Sequence, residues 1–183
     1  MTSFRRFAST MREYQYQIDL QGSLYLADVK IRTHATAYRD PKFLDFFISN
    51  LRLRNCQSLK LHGLPQFQYE SRCGAELNLV QSEDSPIVFK QLNANTQNLE
   101  YAGTFITPFH PKKIHFSAKT GRLYHPLPEK MQNLLAPWQL TNGEKTALGL
   151  LRSQLVQIHF AESIDETSIS WEGMRYSLIK VND

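Results

Sequence analysis

Hydrophobic and polar residues alternate near the start of the chain. Tyr14, Tyr16 and Ile18 are separated by Gln15 and Gln17 and followed by Asp19, the period of two of a half-buried strand. Asp19 to Gly22 supplies turn chemistry, and Leu24 and Leu26 resume the alternation. Tyr14 to Ala27 therefore predicts a β-hairpin. At Asp40-Pro41 the period changes. Asp is a strong N-cap, Pro suits the first helical position, and Phe43, Leu44, Phe47, Ile48 and Leu51 follow at helical spacing. The pattern predicts a helix from Pro41 to Leu53 with an aromatic-rich buried face.

Beyond it the short period returns. Phe67 to Ser71, Ala75 to Gln81 and Ile87 to Leu92 read as strands, with Ser82-Glu83-Asp84-Ser85-Pro86 as a turn. Alternation in the second of these puts Glu76 and Asn78 on a solvent face and Leu77 and Leu79 inward. Leu99 to Tyr101, Thr104 to Ile106 and Ile114 to Phe116 are further short strands, and Gly121 to Pro126 is a loop between turn signals. Thr141-Asn142-Gly143-Glu144 has the form of a capping box, and Leu148, Leu151, Leu155 and Ile158 would line one face of the helix after it. Ile169 and Trp171, then Met174, Tyr176 and Leu178, flank Glu172-Gly173 as a closing hairpin.

Strands that cluster in runs predict an α+β fold, mostly antiparallel sheet with two main helices. Residues 12–183 are expected to form one compact unit, divisible into halves 12–65 and 66–183 that each pair strands with one helix.

Composition narrows the classes. With 42% hydrophobic and 21% charged residues in 183, a core can be filled. No apolar run reaches the roughly 18 residues that span a bilayer; Leu148 to Ile158 is interrupted by Arg152, Ser153, Gln154 and Gln157. The net charge of +4 owes part to Arg5, Arg6 and Arg12, and the remaining cation clusters, Arg52 with Arg54 and Lys112 with Lys113, are small. That is not the concentrated footprint of a nucleic-acid binder. Cys56 and Cys73 fit no zinc or redox spacing and read as free thiols. Residues 1–11, MTSFRRFASTM, carry arginines and hydroxyls and no acid, as a mitochondrial targeting segment does. The alternative is a frayed basic terminus of a cytosolic protein.

The six histidines form no HxxxH or HExxH pair, and no GxSxG, P-loop or GxGxxG occurs. The motifs name no catalytic residue, metal or cofactor. What remains is a set of polar residues near turns: Glu76, Asn78, Glu83 and Asp84, then Arg122, Tyr124 and His125. Arg and His can hold a phosphate or carboxylate, and Tyr can stack on a ring or donate a hydrogen bond. The expected role is a binding or regulatory module, with these seven residues facing one another across a groove around a small anionic or nucleotide-like ligand or a partner protein. The alternatives are an enzyme with a dispersed site, His125 acting as acid–base with Glu83 or Asp84, and a structural or assembly subunit.

Several blocks are also familiar together: Arg12-Glu13-Tyr14 to Asp19, Gly22, and Leu24 to Asp28; Asp40-Pro41 with Phe43-Leu44 and Phe47; Cys73-Gly74, Glu76 and Asn78. Glu83-Asp84 with Pro86 to Phe89, Gly121 to Pro126 with Pro128-Glu129, and Leu151-Arg152-Ser153 continue the series. In this order they resemble a eukaryotic family catalogued as uncharacterised protein family zero-five-nine-eight, whose animal members are regarded as mitochondrial. The resemblance implies a mitochondrial address and no activity. More distantly, the hairpin start, the Glu-Asp-x-Pro turn, the late helix and the Trp-containing hairpin resemble a bacterial family of unknown function. That likeness implies two α/β halves, the second superficially like a pleckstrin-homology fold, with a nucleotide-like ligand between them.

Overall fold

The computed structural model describes residues 11–54, 66–135, 138–139 and 145–181. The first alternation forms β1 (Arg12–Ile18) and, after a turn, the antiparallel β2 (Leu24–Leu26). The Asp19 carboxylate accepts the amides of Gln21 and Ser23 at 2.9 and 2.8 Å and fixes that turn. Gly22 lies at φ +75°, and a Cβ there would stand 2.9 Å from Val88 Cβ, so the turn requires glycine on two counts.

Asp40 caps α1 (Pro41–Ser49) by accepting the Phe43 amide at 2.6 Å. The helix buries Leu44, Phe47 and Ile48 and ends four residues before the expected Leu53. Asn50 and Ser49 turn their side chains back onto the Phe46 carbonyl, and Leu51–Leu53 leave as β3. β3 pairs with β4 (Tyr69–Cys73), which pairs in turn with β5 (Glu76–Ser82). Leu51 becomes fully buried in this ladder, so pairing overrides the helical spacing that includes it.

β5 also runs parallel to β1, giving a five-stranded sheet of order β2-β1-β5-β4-β3. Its central place corrects the expectation for Asn78, which is buried and not on a solvent face. Asn78 Nδ2 donates to the Ser71 carbonyl, and Ser71 Oγ donates to Phe47 O of α1, so that face is covered by the helix. Leu77 and Leu79 occupy the other face with Phe67. The sheet contains residues 12–18, 24–26, 51–53, 69–73 and 76–82, and thus extends across the expected division at 65 and 66.

A second region begins with β6 (Val88–Phe89) and a three-stranded meander, β7 (Gln91–Asn93), β8 (Asn98–Tyr101) and β9 (Phe105–Pro108). A short 3-10 turn, Pro111–Lys113, leads to β10 (His115–Ser117) and β11 (Arg122–Pro126). Then come α2 (Glu129–Leu135), the small hairpin of β12 (Trp138–Gln139) and β13 (Lys145–Thr146), and β14 (Leu148–Leu151). The chain continues with α3 (Ser153–Phe160), the hairpin of β15 (Ser168–Trp171) and β16 (Met174–Ser177), and β17 (Ile179–Lys180).

Five of these strands form the second sheet, in the order β17-β10-β11-β14-β6, with parallel pairs at β17–β10 and β14–β6. Both large sheets are therefore mixed, not purely antiparallel. Two further corrections follow. Gly121 to Pro126, expected as a loop, supplies β11 in the middle of the sheet. Leu148 and Leu151 lie in β14 and not on a helix, because all four residues of that strand are buried between β11 and β6. Helix α2 has no counterpart among the elements the sequence pattern predicts, and the capping-box residues 141–144 lie outside the described residues.

One apolar cluster runs from Tyr16 and Phe47 through Phe89 and Leu123 to Phe160 and Trp171, so both sheets and α1 and α3 share a core. The β8–β9 turn packs against the start of α1. Asp45 accepts the Gly103 and Thr104 amides at 2.9 and 3.0 Å and the Thr104 hydroxyl at 2.6 Å. Burial pulls the Asp45 carboxyl upward, but these hydrogen bonds outweigh it and hold the pKa below the ordinary value. The β1–β2 turn, α1 and this docked turn enclose a cleft.

Candidate functional site

The seven polar residues singled out by sequence do not converge. Asp84, Arg122 and Tyr124 meet: Asp84 Oδ2 accepts Arg122 Nη1 at 2.5 Å and the Tyr124 hydroxyl at 3.0 Å. Burial raises the Tyr124 pKa to about 12, so it remains a neutral donor. This trio fastens the β5–β6 turn to β11. Glu83 sits one residue on the other side of that turn, paired with Arg32 at 3.5 Å and accepting Gln17 Nε2 at 3.1 Å. Glu76 pairs with Arg12 at 3.3 Å on the surface, and Asn78 is committed to the Ser71 carbonyl. Cys73 is a free thiol beside Ser71, while Cys56 lies outside the described residues.

His125 points to the opposite face of β11 from Tyr124, into the shared core between the rings of Phe89 and Phe109. Gly149 lies directly across from it on β14, and a Cβ at Gly149 would stand 2.5 Å from the Phe89 ring. The absent side chain is what admits the ring. His125 Nε2 accepts the His110 amide at 3.0 Å. A backbone N–H can only donate, so the ring proton is on Nδ1 and donates to Pro126 O at 2.9 Å. Burial pushes the pKa down to about 4, helped by the neighbouring His110, His115 and Lys113. The acid–base role considered for His125 has no basis here. Its lone pair and its proton are both engaged by backbone groups.

The cleft lies elsewhere and has none of the seven on its wall. Its volume is about 350 Å³. Gln21, Gly22 and Ser23 of the β1–β2 turn form one side, with Tyr38, Arg39 and Pro41 at the head of α1; Lys90, Glu100, Tyr101 and Gly103 form the other, closed by Arg152.

Lys90 and Arg152 define its chemistry; a third cation on the wall, Arg39, is exposed and donates to the His34 carbonyl at 2.8 Å. Lys90 follows β6, its stem buried, and Nζ donates to the Ala102 carbonyl at 2.8 Å. Arg152 directly precedes α3 and does not cap it with its side chain; Nε reaches across to Gln21 Oε1 at 2.7 Å. Among the described residues neither forms a salt bridge, and Glu100 is the one carboxylate on the described wall. Desolvation lowers the Lys90 pKa, the nearby Arg152 lowers it further, and Asp19 and Asp45 offset part of this. Lysine could have been noticed in the sequence as the one cation in the apolar run Ile87 to Leu92, and Arg152 as the cation that ends the run Leu148 to Leu151.

The family model described as "Domain of unknown function (DUF4505)" matches residues 5–181. The chain belongs to the DUF4505 family. Two solved structures are similar to it, both of bacterial DUF1285 family proteins. The protein from Shewanella baltica OS155 is 17% identical, with 75% of this chain and 84% of that chain covered and a TM-score of 0.40. The protein from Silicibacter pomeroyi DSS-3 is 10% identical, with 98% and 90% covered and a TM-score of 0.45. Among the described residues no helix is long and apolar enough to cross a membrane, and no three His, Cys, Asp or Glu side chains cluster as a metal site would require.

Proposed function

We propose that this DUF4505 chain is a binding module for a small anionic ligand held in the cleft between the β1–β2 turn with α1 and the β6–β9 region with α3. The observation that carries the reading is the pair Lys90 and Arg152. A half-buried ammonium beside a guanidinium, with no salt bridge among the described residues and only partial compensation from Asp19 and Asp45, costs stability when the cleft is empty and is relieved by an anion. Tyr38 and Tyr101 on the same walls are packed against Tyr16, Phe43, Phe89 and Phe105, so the reading rests on charge.

Thermal unfolding with 10 mM phosphate, citrate, AMP or ATP tests this. A ligand at about 100 times its Kd stabilises by about 2.7 kcal/mol, roughly 5–10 °C for a chain of this size. At least one of these anions should raise the Tm, and Lys90→Met with Arg152→Gln should remove the rise. Because Met removes a desolvated charge, Lys90→Met should cost no more than about 1 kcal/mol without ligand. If none of the anions shifts the Tm, the small-anion reading fails.

We also propose a mitochondrial matrix setting. The arginines and hydroxyls of residues 1–11 and the resemblance to a family with mitochondrial members support it. Imaging a C-terminal fluorescent fusion with and without residues 1–11 tests it; unchanged cytosolic signal in both would refute it.

A further inference from the structure

We propose that the outer edge of β16, with the pocket beneath it, docks an extended acidic segment of a partner protein as an added strand. β15 and β16 form a sheet of two strands only, joined at Glu172-Gly173, where φ is +49° and +76°. The register pairs Trp171 with Met174 and Ser170 with Arg175. In an antiparallel ladder every second pair turns its backbone groups away from the partner strand. Ser170 shows the direction, since its N–H leaves the hairpin and donates to Ser163 O at 2.8 Å. Arg175 opposite, and Ser177 two residues on, therefore turn their N–H and C=O groups to the outer edge, where no described strand pairs with them. An open edge of this kind is a template for another strand.

The pocket beside that edge measures about 360 Å³ and is lined by Phe109, Lys112, Lys113, Trp171, Met174 and Tyr176, among others. Met174 is 57% exposed, an apolar surface awaiting cover. The Trp171 indole N–H is buried and has no acceptor among the described residues. Its ring is already packed by Phe109, Phe160 and His159 and presents no stacking face. That disfavours single-stranded nucleic acid, which binds by stacking bases on exposed rings.

Charge selects the partner. Lys112 and Lys113 are exposed and, among the described residues, have no ion-pair partner. Glu172 on the wall is held by Gln97 at 2.8 Å, and Arg175 is engaged by Asp165. An added strand points alternate side chains inward. An apolar one would cover Met174 and Tyr176, and a carboxylate two residues along, on the same face, would reach the lysines.

Panning a random 12-residue peptide library against the purified chain tests the proposal. Enriched peptides should be acidic and carry an apolar residue. A labelled enriched peptide should slow hydrogen exchange at the Arg175 and Ser177 amides. Lys112→Glu with Lys113→Glu should weaken it at least tenfold, as should Ser177→Pro, which removes only an outward N–H and leaves the hairpin ladder paired. Basic or neutral consensus peptides, no enrichment, or protection at other amides would overturn the proposal. So would dimerisation of the chain itself through the same amides, which would make a second copy the occupant.

Discussion

Gly103 rests against the backbone of Pro41. A Cβ at Gly103 would stand 2.2 Å from the Pro41 carbonyl oxygen and 2.6 Å from its Cα, distances that no real Cβ adopts. The atoms in the way are backbone at the first turn of α1, which cannot swing aside as a side chain can. This contact and the Asp45 hydrogen bonds beside it set the width of the cleft.

Gly103→Ala is accordingly expected to destabilise the fold by about 2–3 kcal/mol, the range for forced overpacking. Urea unfolding measures it. The substitution should also blunt any anion-induced rise in Tm, because the β8–β9 turn must move off α1. A variant as stable as the wild type would show that the turn is not held where it is described.

Asp84 is the hub of a second junction. Its side chain is 4% exposed, Arg122 is a third exposed, and Asp84 Oδ1 has no hydrogen-bond partner among the described residues. Removing the carboxylate takes the shared acceptor from the Arg122 guanidinium and from the Tyr124 hydroxyl, which keeps its contact with Thr120. Asp84→Ala should cost about 2–4 kcal/mol, toward the lower side of the range for a broken buried pair because Arg122 keeps some water. In a double-mutant cycle Asp84→Ala and Tyr124→Phe should couple by about 0.5–3 kcal/mol. Additivity would mean that the 3.0 Å bond contributes nothing.

Stability should fall on mild acidification, with His125 as the main cause. Its folded pKa is depressed to about 4 by burial, below the ordinary 6.5. Below pH 6.5 the unfolded chain binds a proton that the folded chain refuses, so stability is lost from about pH 6.5 down to about pH 4 and levels off beneath. The integrated loss is about 3 kcal/mol. His115, also lowered by burial and only partly opposed by the Lys113 carbonyl, adds in the same direction. Urea midpoints from pH 8 to pH 4 should show the decline, and His125→Gln should flatten most of it even if it lowers stability throughout. A flat wild-type profile would contradict the neutral, doubly bonded imidazole.

What the sequence determined by itself is local. Asp40-Pro41 starts a helix because capping and a preset φ act within a few residues. Asp19 to Gly22 and Glu172-Gly173 turn the chain because side-chain acceptors and left-handed φ values are local as well. Polar residues near turns stood out for the same reason, but their partners did not. Asp84 is 38 positions from Arg122, and only the approach of β5–β6 to β11 joins them. Tertiary structure also decided the short apolar runs. Leu51–Leu53 and Leu148–Leu151 fit helical spacing in the sequence and become strands because β4, β11 and β6 lie beside them. The same holds for the cleft. Lys90 and Arg152 each look like a solitary cation after an apolar run, and they become a pair because β6 and β14 run parallel and adjacent. Side-chain periodicity is set by the backbone within a strand; which strands become neighbours depends on how the whole chain buries its core.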